Sequence, residues 1–314
     1  MASALTEEQV DRYLEFLQVP HQYHRKANPP RDLEFLNVLH THQISAVPYE
    51  TLELHYSKDH KISLGPQKLY GKIVAPNGRG GYCMENSVLF NHLLRALGFQ
   101  VYTTGVRTRP RVGSVPQGGY KGWVHTVNIV TLADGVKYML EVGYGGDGAT
   151  KIIPLVDNHV IQNIGTQEMR LIYDNIPQQV DKSMKLWICQ YRNGPDRPWD
   201  SLYCFSEIEF LDHDFEVMNF FTSSSPDAFP TFMVLVVKFL RREHEIYGKI
   251  MLVNNEVKQN LGGKTILVKT CTTEEERVEA LKEYFGILLT DEEREGIRGM
   301  STELPYSATV RLKN

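Results

Sequence analysis

The hydrophobic period of this chain changes near residue 100, and the change limits the folds open to it. Before that point apolar residues recur at helical spacing: Thr6 and Gln9 form a capping box, and Val10, Leu14 and Leu17 line one face of the helix that follows. A second helix is predicted from about Asp32 to His42, with its leucines facing inward, namely Leu33, Leu36 and Leu39. The first third of the chain is therefore predicted to be a block of helices.

After residue 100, short runs of β-branched and aromatic residues alternate with glycine, proline and aspartate turns. The predicted strands of the middle third are Val101–Thr104, Trp123–Thr131, Tyr138–Val142, Leu186–Tyr191 and Tyr203–Phe210. Short strands at this spacing are typical of an antiparallel barrel or a sandwich.

The last third of the chain mixes both periods. It opens with a predicted helical turn near Asp212–Asn219, and capping boxes that start at Thr273 and Thr290 begin two later helices. Strands are predicted between them at Phe232–Phe239, Glu245–Val253 and Lys264–Cys271, with a turn at Asn254-Asn255. The chain as a whole is predicted to be α+β.

One cysteine stands where a glycine turn becomes a helix. The run is Arg79-Gly-Gly-Tyr-Cys83-Met-Glu-Asn86, and the apolar positions Val88, Leu89 and Leu93 continue it at helical spacing. In the first turn of a helix, unpaired backbone N–H groups and the helix dipole favour a thiolate over a thiol. Arg79 is expected to add a nearby positive charge. Cys83 is therefore a candidate nucleophile.

The alternative for any cysteine is that it is a small buried apolar residue. Cys189, Cys204 and Cys271 fit that description, since each lies in or beside an apolar strand. The four cysteines match neither a zinc site nor a disulfide framework, so no metal is expected. Reduced thiols and the lack of a secretory signal at the start of the sequence favour a cytoplasmic protein.

Bulk composition excludes several classes of partner. Hydrophobic residues make up 42% and charged residues 23% of the chain, which is ordinary for a globular protein. The formal net charge of −4 gives no reason to expect nucleic acid or an anionic membrane as a partner. No apolar run approaches the roughly 20 residues that a membrane span requires.

A catalytic cysteine needs a base, and His125 is the favoured candidate. It shares a strand face with Val127 and Ile129, so it is expected to be buried and hydrogen-bonded. A histidine that only satisfies the core is the alternative. His92 is the rival base, but it lies more than two turns along the helix from Cys83.

Glu141, on the next strand, is the candidate orienting group for His125. A two-residue turn at Asp134-Gly135 would point Glu141 away from His125. A three-residue loop, with Gly135 left-handed, would place Glu141 opposite Val127 and diagonal to His125 on the same face. We predict the three-residue loop.

Three segments together resemble the arylamine N-acetyltransferase family. They are Gly78–Asn86, Trp123–Val127 and Tyr138–Gly145, and weaker similarities extend over nearly the whole chain. The resemblance implies an N-terminal helical bundle (1–99), a central antiparallel β-barrel (100–211) and a C-terminal α/β lid (212–314). It also implies a triad arranged as in cysteine proteases and transglutaminases, with acyl-CoA as the donor.

The resemblance carries over residue by residue. Cys83 corresponds to the nucleophile, His125 to the base, and Glu141 stands where the family normally has aspartate. Gly105 aligns with a glycine that approaches the coenzyme. Coenzyme contacts in the lid align with Phe221 and Thr231, and Tyr144 is expected to line the acceptor pocket.

The expected reaction is a ping-pong transfer of an acyl group from acyl-CoA, through acyl-Cys83, to an arylamine or hydrazine. Acetyl-CoA is the default donor, and malonyl-CoA or propionyl-CoA is the alternative. Arg107 and Arg109 are interpreted as surface charges or ligands of the CoA phosphates in preference to partners of a malonyl carboxylate. Two other classes stay open: a cysteine hydrolase with the same triad, and a ligand-binding protein with a degraded site.

Overall fold

The first 99 residues are mostly helical in the computed structural model of the chain, which describes residues 2–113 and 115–305. Thr6 and Gln9 form the predicted capping box of the first helix. The helices are α1 (Glu7–Phe16), α2 (Leu33–Ala46), α3 (Glu53–Tyr56), α4 (Pro66–Ile73) and α5 (Cys83–Ala96), with short 3₁₀ turns at His21–Tyr23 and Arg25–Ala27. A two-residue strand, β1 (Tyr49–Glu50), lies between α2 and α3. The sequence pattern missed α3, α4 and β1, which are short.

Helix α2 differs from its prediction in length and orientation. It continues to Ala46 instead of ending near His42, and Leu33 is 41% exposed although it was expected to face inward. Leu36 and Leu39 are buried as predicted. Leu33 is the first residue of the helix, where the chain enters from solvent, whereas the later turns are packed between other elements, including a strand of the last third.

The middle third forms a near-closed antiparallel barrel of eight strands, in the order β7-β6-β5-β2-β11-β10-β9-β8. β7 also contacts β9, which brings the two ends of the sheet together. The strands are β2 (Gln100–Thr108), β5 (Trp123–Thr131), β6 (Lys137–Leu140), β7 (Ile153–Pro154), β8 (Val160–Gln162), β9 (Glu168–Asp174), β10 (Leu186–Arg192) and β11 (Asp200–Phe205). A small separate hairpin pairs β3 (Arg111–Val112) with β4 (Val115–Pro116).

The last third forms a five-stranded antiparallel sheet with flanking helices. Its order is β1-β12-β13-β14-β15, so the edge strand comes from the N-terminal third. The elements are α6 (Asp212–Ser224), a 3₁₀ turn (Phe229–Thr231), β12 (Leu235–Arg242), β13 (Glu245–Val253), β14 (Glu256–Asn260), β15 (Ile266–Thr270), α7 (Glu274–Ala280), a π-helical turn (Leu281–Phe285) and α8 (Asp291–Gly296). The turn at Asn254-Asn255 is confirmed, and it joins β13 to β14, a polar strand that was not predicted. The division at residues 99 and 211 stays a prediction.

Candidate active site

Cys83 is the first residue of α5, as predicted. Tyr82 caps the helix in an extended conformation, and its backbone N–H donates to Oε2 of Glu85 at 3.0 Å. The glycines before it are needed for close approach, since a Cβ on Gly80 would lie 1.9 Å from the carbonyl oxygen of Pro48. The side chain of Cys83 is buried, with 6% of the residue exposed. The thiol therefore lies at the positive end of a helix and is shielded from bulk water.

The positive charge that Arg79 was expected to add near Cys83 is paired with carboxylates. Its guanidinium, almost fully buried, pairs with Glu50 at 2.9 Å, with Glu53 at 3.3 Å and with Glu293. Burial alone would raise the pKa of Glu50, but the charges of Arg79 and Lys72 outweigh it and lower that pKa. The arginine thus fastens the turn before Cys83 to α3 and α8, and three carboxylates compensate its charge.

A buried polar network docks α5 onto the barrel. The amide of Asn91 donates to Oγ1 of Thr103 at 3.0 Å and to Oδ1 of Asn128 at 2.8 Å. Asn128 in turn donates to the carbonyl of Ser87 at 3.1 Å. Because these groups are buried, their hydrogen bonds constrain the helix relative to β2 and β5. Asn91, a polar residue between the apolar positions of α5, therefore fixes this helix beside the strand of His125.

The register between β5 and β6 confirms the three-residue loop. Thr131 pairs with Lys137 and Asn128 with Leu140, and Gly135 is left-handed with φ of +82°. Glu141, just beyond the end of β6, consequently lies on the same face as His125. Nε2 of His125 donates to Oε2 of Glu141 at 2.6 Å, and both side chains are almost fully buried.

The longer side chain of Glu141 folds back onto its own chain. Its second oxygen, Oε1, accepts from the backbone N–H of Gly143 at 2.8 Å. The carboxylate therefore has two hydrogen bonds that hold it in one orientation. The extra methylene relative to aspartate is absorbed by this local turn, and the pairing of β5 with β6 stays regular over its four residue pairs.

Cys83, His125 and Glu141 come together in the structure. Burial disfavours a charged imidazole, but the carboxylate of Glu141 and a hydrogen bond to Cys83 outweigh it and raise the pKa of His125 to about 10. Since Nε2 is bound to Glu141, Nδ1 is the ring nitrogen left for Cys83. Gly143 lies directly against Cys83, because a Cβ at Gly143 would be 2.6 Å from Cα of Cys83. The arrangement can hold a thiolate beside an imidazolium.

His40 was not expected near the site. It lies on α2, is fully buried, and its Nε2 donates to the backbone carbonyl of Glu141 at 2.9 Å. No short motif marks such a residue, because the contact joins positions far apart in the chain. The rival base His92 instead accepts a hydrogen bond from the backbone N–H of Ala4 through Nδ1.

The ring of Tyr144 lies beside His125. It makes an edge contact with His125 at 5.2 Å between centroids and packs on Tyr203 at 4.9 Å. Arg111 hydrogen-bonds to Tyr144 and pairs with Asp147 at 2.9 Å. An aromatic wall with a cation at its outer end therefore borders the histidine.

The residues aligned with coenzyme contacts lie in different settings. Gly105 faces the ring of Phe210, since a Cβ there would be 2.3 Å from Cε2. Phe221, on α6, is 48% exposed. Oγ1 of Thr231 donates to backbone carbonyls of its own loop, at Ser225 and Ala228. α6 is linked to α5 through Tyr82, whose hydroxyl donates to Oδ1 of Asn219 and also hydrogen-bonds with the hydroxyl of Thr222.

Comparison with known proteins establishes the family of this chain. A family model described as N-acetyltransferase matches residues 32–294, well over half of the chain. The chain belongs to the arylamine N-acetyltransferase family. It is therefore an acyltransferase, and the α+β fold with a near-closed barrel is that of the family.

Individual relatives add detail. The chain is 35% identical to N-malonyltransferase FDB2 of Fusarium pseudograminearum (strain CS3096) over 267 residues, which cover 80% of this chain and 77% of that protein. The arylamine N-acetyltransferase of Mycobacterium abscessus has the same fold, with a TM-score of 0.76 and 22% identity over 94% of each chain. The enzyme of Mycobacterium marinum, solved in complex with CoA, gives a TM-score of 0.74 and 22% identity, covering 93% of this chain and 97% of that one.

Two further features of the described residues bear on partners. Their helices include none that is both long and apolar enough to cross a membrane. Within the same ranges, 2–113 and 115–305, no three histidine, cysteine, aspartate or glutamate side chains converge as ligands for a metal ion.

Proposed function

We propose that the chain moves an acyl group from acyl-CoA to an arylamine or hydrazine in two steps, with Cys83 as the nucleophile. The observation that carries the proposal is the hydrogen-bonded series Cys83, His125 and Glu141 at the start of a buried helix. Cysteine nucleophiles paired with an oriented histidine are the usual machinery of acyl transfer through a thioester.

In the first step the thiolate of Cys83 attacks the carbonyl carbon of the acyl-CoA thioester. A tetrahedral intermediate forms, the bond from carbon to the coenzyme's sulfur breaks, and the CoA thiolate takes the proton held by His125. The N–H groups at the start of α5 are suited to receive the negative charge on the acyl oxygen. The product is acyl-Cys83 with a neutral His125.

In the second step the amine attacks the carbonyl of acyl-Cys83, and His125 accepts the proton that the amine loses. The bond from carbon to Sγ breaks, which releases the amide and restores the thiolate beside the imidazolium. Glu141 stabilises that imidazolium in the resting state.

Substrate contacts are assigned from the resemblance to the family and from the setting of each residue in the structure. Tyr144 borders the acceptor pocket, where its ring suits a flat arylamine. Gly105, Phe221 and Thr231 contact the coenzyme, with the last third of the chain acting as a lid. The half-exposed ring of Phe221 is an available surface for the coenzyme.

Acetyl-CoA is the default donor, and malonyl-CoA is the second candidate. The similarity to an N-malonyltransferase favours it. Arg107 and Arg109 are poorly suited to a malonyl carboxylate: Arg107 stacks on the ring of Trp123, and Arg109 donates to the carbonyls of Gly118 and Ser201. Arg111 hydrogen-bonds to Tyr144, which borders His125, so it lies nearer the site, where Asp147 pairs with it.

Intact-protein mass spectrometry after brief exposure to acetyl-CoA, malonyl-CoA or propionyl-CoA, without acceptor, tests the proposal. We expect one acyl adduct on the wild type and on Cys271→Ala, which removes another buried thiol, but none on Cys83→Ala. The donor that gives the adduct fastest is the preferred one. Absence of an adduct from the folded wild type with all three donors would exclude the mechanism.

Steady-state kinetics separates transfer from hydrolysis. With a fixed series of acceptor concentrations, a ping-pong enzyme gives parallel double-reciprocal lines, and the amide accounts for the CoA released. Intersecting lines would contradict an acyl-enzyme. CoA release that is independent of the amine would favour the hydrolase.

A further inference from the structure

Three hydrogen bonds hold Glu141, and each is donated by a different residue. Oε2 accepts from His125, Oε1 accepts from the backbone of Gly143, and the main-chain carbonyl accepts from His40. The first two fix the carboxylate, whereas the third fixes the backbone that carries it. Glu141 lies beyond the last paired residue of β6, so the strand ladder does not hold it there.

His40 comes from α2, in the N-terminal third, while Glu141 belongs to the barrel segment. Their hydrogen bond of 2.9 Å therefore joins the helix layer to the loop that carries the acid. The same loop contains Gly143, which lies against Cys83. Movement of this loop would displace the carboxylate and the wall of the nucleophile together.

The second nitrogen of the His40 ring makes this contact costly for stability. Nδ1 of His40 is buried and has no hydrogen-bond partner among the described residues. Burial lowers the pKa of His40 to about 4, so the ring is neutral and Nδ1 keeps an unpaired lone pair. An unsatisfied buried polar atom carries a desolvation cost at least as large as the net contribution of one hydrogen bond. The contact therefore adds little net stability, although its removal would leave the carbonyl of Glu141 without this donor.

We propose that His40 is a positioning residue of the active site, which holds the main chain of Glu141 so that its longer, folded-back carboxylate meets Nε2 of His125. His40 touches no reacting atom and acts only through Glu141. The inference rests on the proposed function for its effect on turnover, but its effect on the Cys83–His125 pair is independent of any donor or acceptor.

Alkylation of Cys83 by iodoacetamide, followed over a range of pH, provides the test. Alkylation consumes the thiolate and needs neither acyl-CoA nor amine. In His40→Phe the carboxylate is less well aligned, the imidazolium is less stabilised, and half-maximal alkylation moves to higher pH. Acyl transfer is expected to fall on the order of 10- to 100-fold, as when a reacting group is misplaced by about 1 Å.

Two further variants of His40 separate positioning from packing. Gln places an amide N–H close to where Nε2 lies, so His40→Gln should restore the wild-type pH profile. Asn carries its amide nearer the backbone, so His40→Asn should resemble His40→Phe. If His40→Phe fails to fold, the comparison of Gln with Asn still decides the question.

His55→Phe is the matched control. His55 is also fully buried, donates from Nε2 to a backbone carbonyl, that of Met233 at 3.1 Å, and has its pKa lowered to about 4 by burial. We expect it to lower stability without moving the alkylation profile. Unchanged profiles in both His40→Phe and His40→Asn would overturn the inference. Failure of the proposed function is scored separately, by the absence of acyl-Cys83 from the wild type. The alkylation profiles need neither acyl-CoA nor amine, so they are read independently of that result.

Discussion

At the scale of single residues, the longer side chain of Glu141 reaches His125 because it folds back on its own main chain. The side chain bends back to the N–H of Gly143 and still reaches His125 at 2.6 Å. The sequence left two registers open, and the structure has the one, set by the three-residue loop, that lets Glu141 and His125 meet. The bend was not predictable from the sequence, because it depends on a loop pressed against Cys83.

The charge of Glu141 should be visible in the pH dependence of stability. The pKa of His125 is raised from 6.5 to about 10 in the folded chain, so its contribution to stability is complete below pH 6.5 and is lost as the pH rises towards about 10. Glu141→Gln removes the carboxylate charge and should reduce this loss. Urea unfolding of both proteins across that pH range measures it.

Glu216→Gln provides the control for that experiment. Glu216 also pairs with a histidine, His213, but both side chains are largely exposed. Its removal should leave the pH dependence close to that of the wild type. Equal pH dependence in Glu141→Gln and the wild type would show that the buried pair does not stabilise the imidazolium.

At the scale of elements, one glycine sets the register that brings the site together. Gly135 adopts φ of +82° in the loop between β5 and β6, and a Cβ added there would meet no other atom within 4 Å. Any cost of Gly135→Ala therefore comes from the backbone conformation, and we expect a loss of about 1–2 kcal/mol in the free energy of unfolding.

Gly71→Ala should have the opposite sign. Gly71 lies within α4, has no unusual φ and would also meet no atom within 4 Å. Alanine in a helix interior is favoured over glycine by about 0.8–1.0 kcal/mol. Urea unfolding of the two variants side by side checks both values, and a destabilised Gly71→Ala would contradict the argument.

A second prediction at this scale concerns the buried ion pairs of Glu50 with Arg79 and Lys72. Arg79→Met leaves Glu50, whose side chain is 0% exposed, with Lys72 as a cation at 3.7 Å. Breaking a buried ion pair from one side costs about 3–5 kcal/mol.

Arg12→Met is the corresponding surface variant. Arg12 pairs with Glu8 on α1, and the two side chains are 66% and 74% exposed. Its loss should cost no more than about 0.5 kcal/mol. Chemical denaturation of both variants measures the difference, and similar costs for both would argue against a buried network.

At the scale of the whole molecule, the three predicted segments are closely joined. β1 from the first third pairs with β12 in the last, Arg79 binds Glu293, and Cys83 meets a histidine of the middle third. We expect such a chain to unfold in one cooperative transition.

The positions of the tryptophans allow this to be measured. Trp123, Trp187 and Trp199 all lie in the barrel segment, whereas the α-helices of the described chain lie outside residues 100–211. Tryptophan fluorescence and helical circular dichroism therefore report different segments, and their urea transitions should coincide. A fluorescence transition displaced from the helical one would show that the barrel is an independent domain.

Local chemistry by itself determined much of this protein. Capping residues and helical spacing located α1, α5 and the later helices, and alternation located the strand of His125 and the strand that ends just before Glu141. These signals are local, so they are present in the order of the residues. The same is true of Cys83 at the start of its helix. The loop between β5 and β6 was left with two possible lengths, and the contact expected between His125 and Glu141 favoured the three-residue loop that the structure has.

Tertiary structure decided the rest, because each missed feature depends on residues distant in the chain. Asn91 became a buried anchor, Arg79 was neutralised by α3 and α8, and His40 reached Glu141 from 101 positions away. A polar residue in a helix pattern is assigned to solvent unless another segment buries it. Burial by a distant segment leaves no signal in the neighbouring sequence. The sequence thus specified the candidate groups, Cys83, His125 and Glu141, and tertiary packing specified how they are held in place.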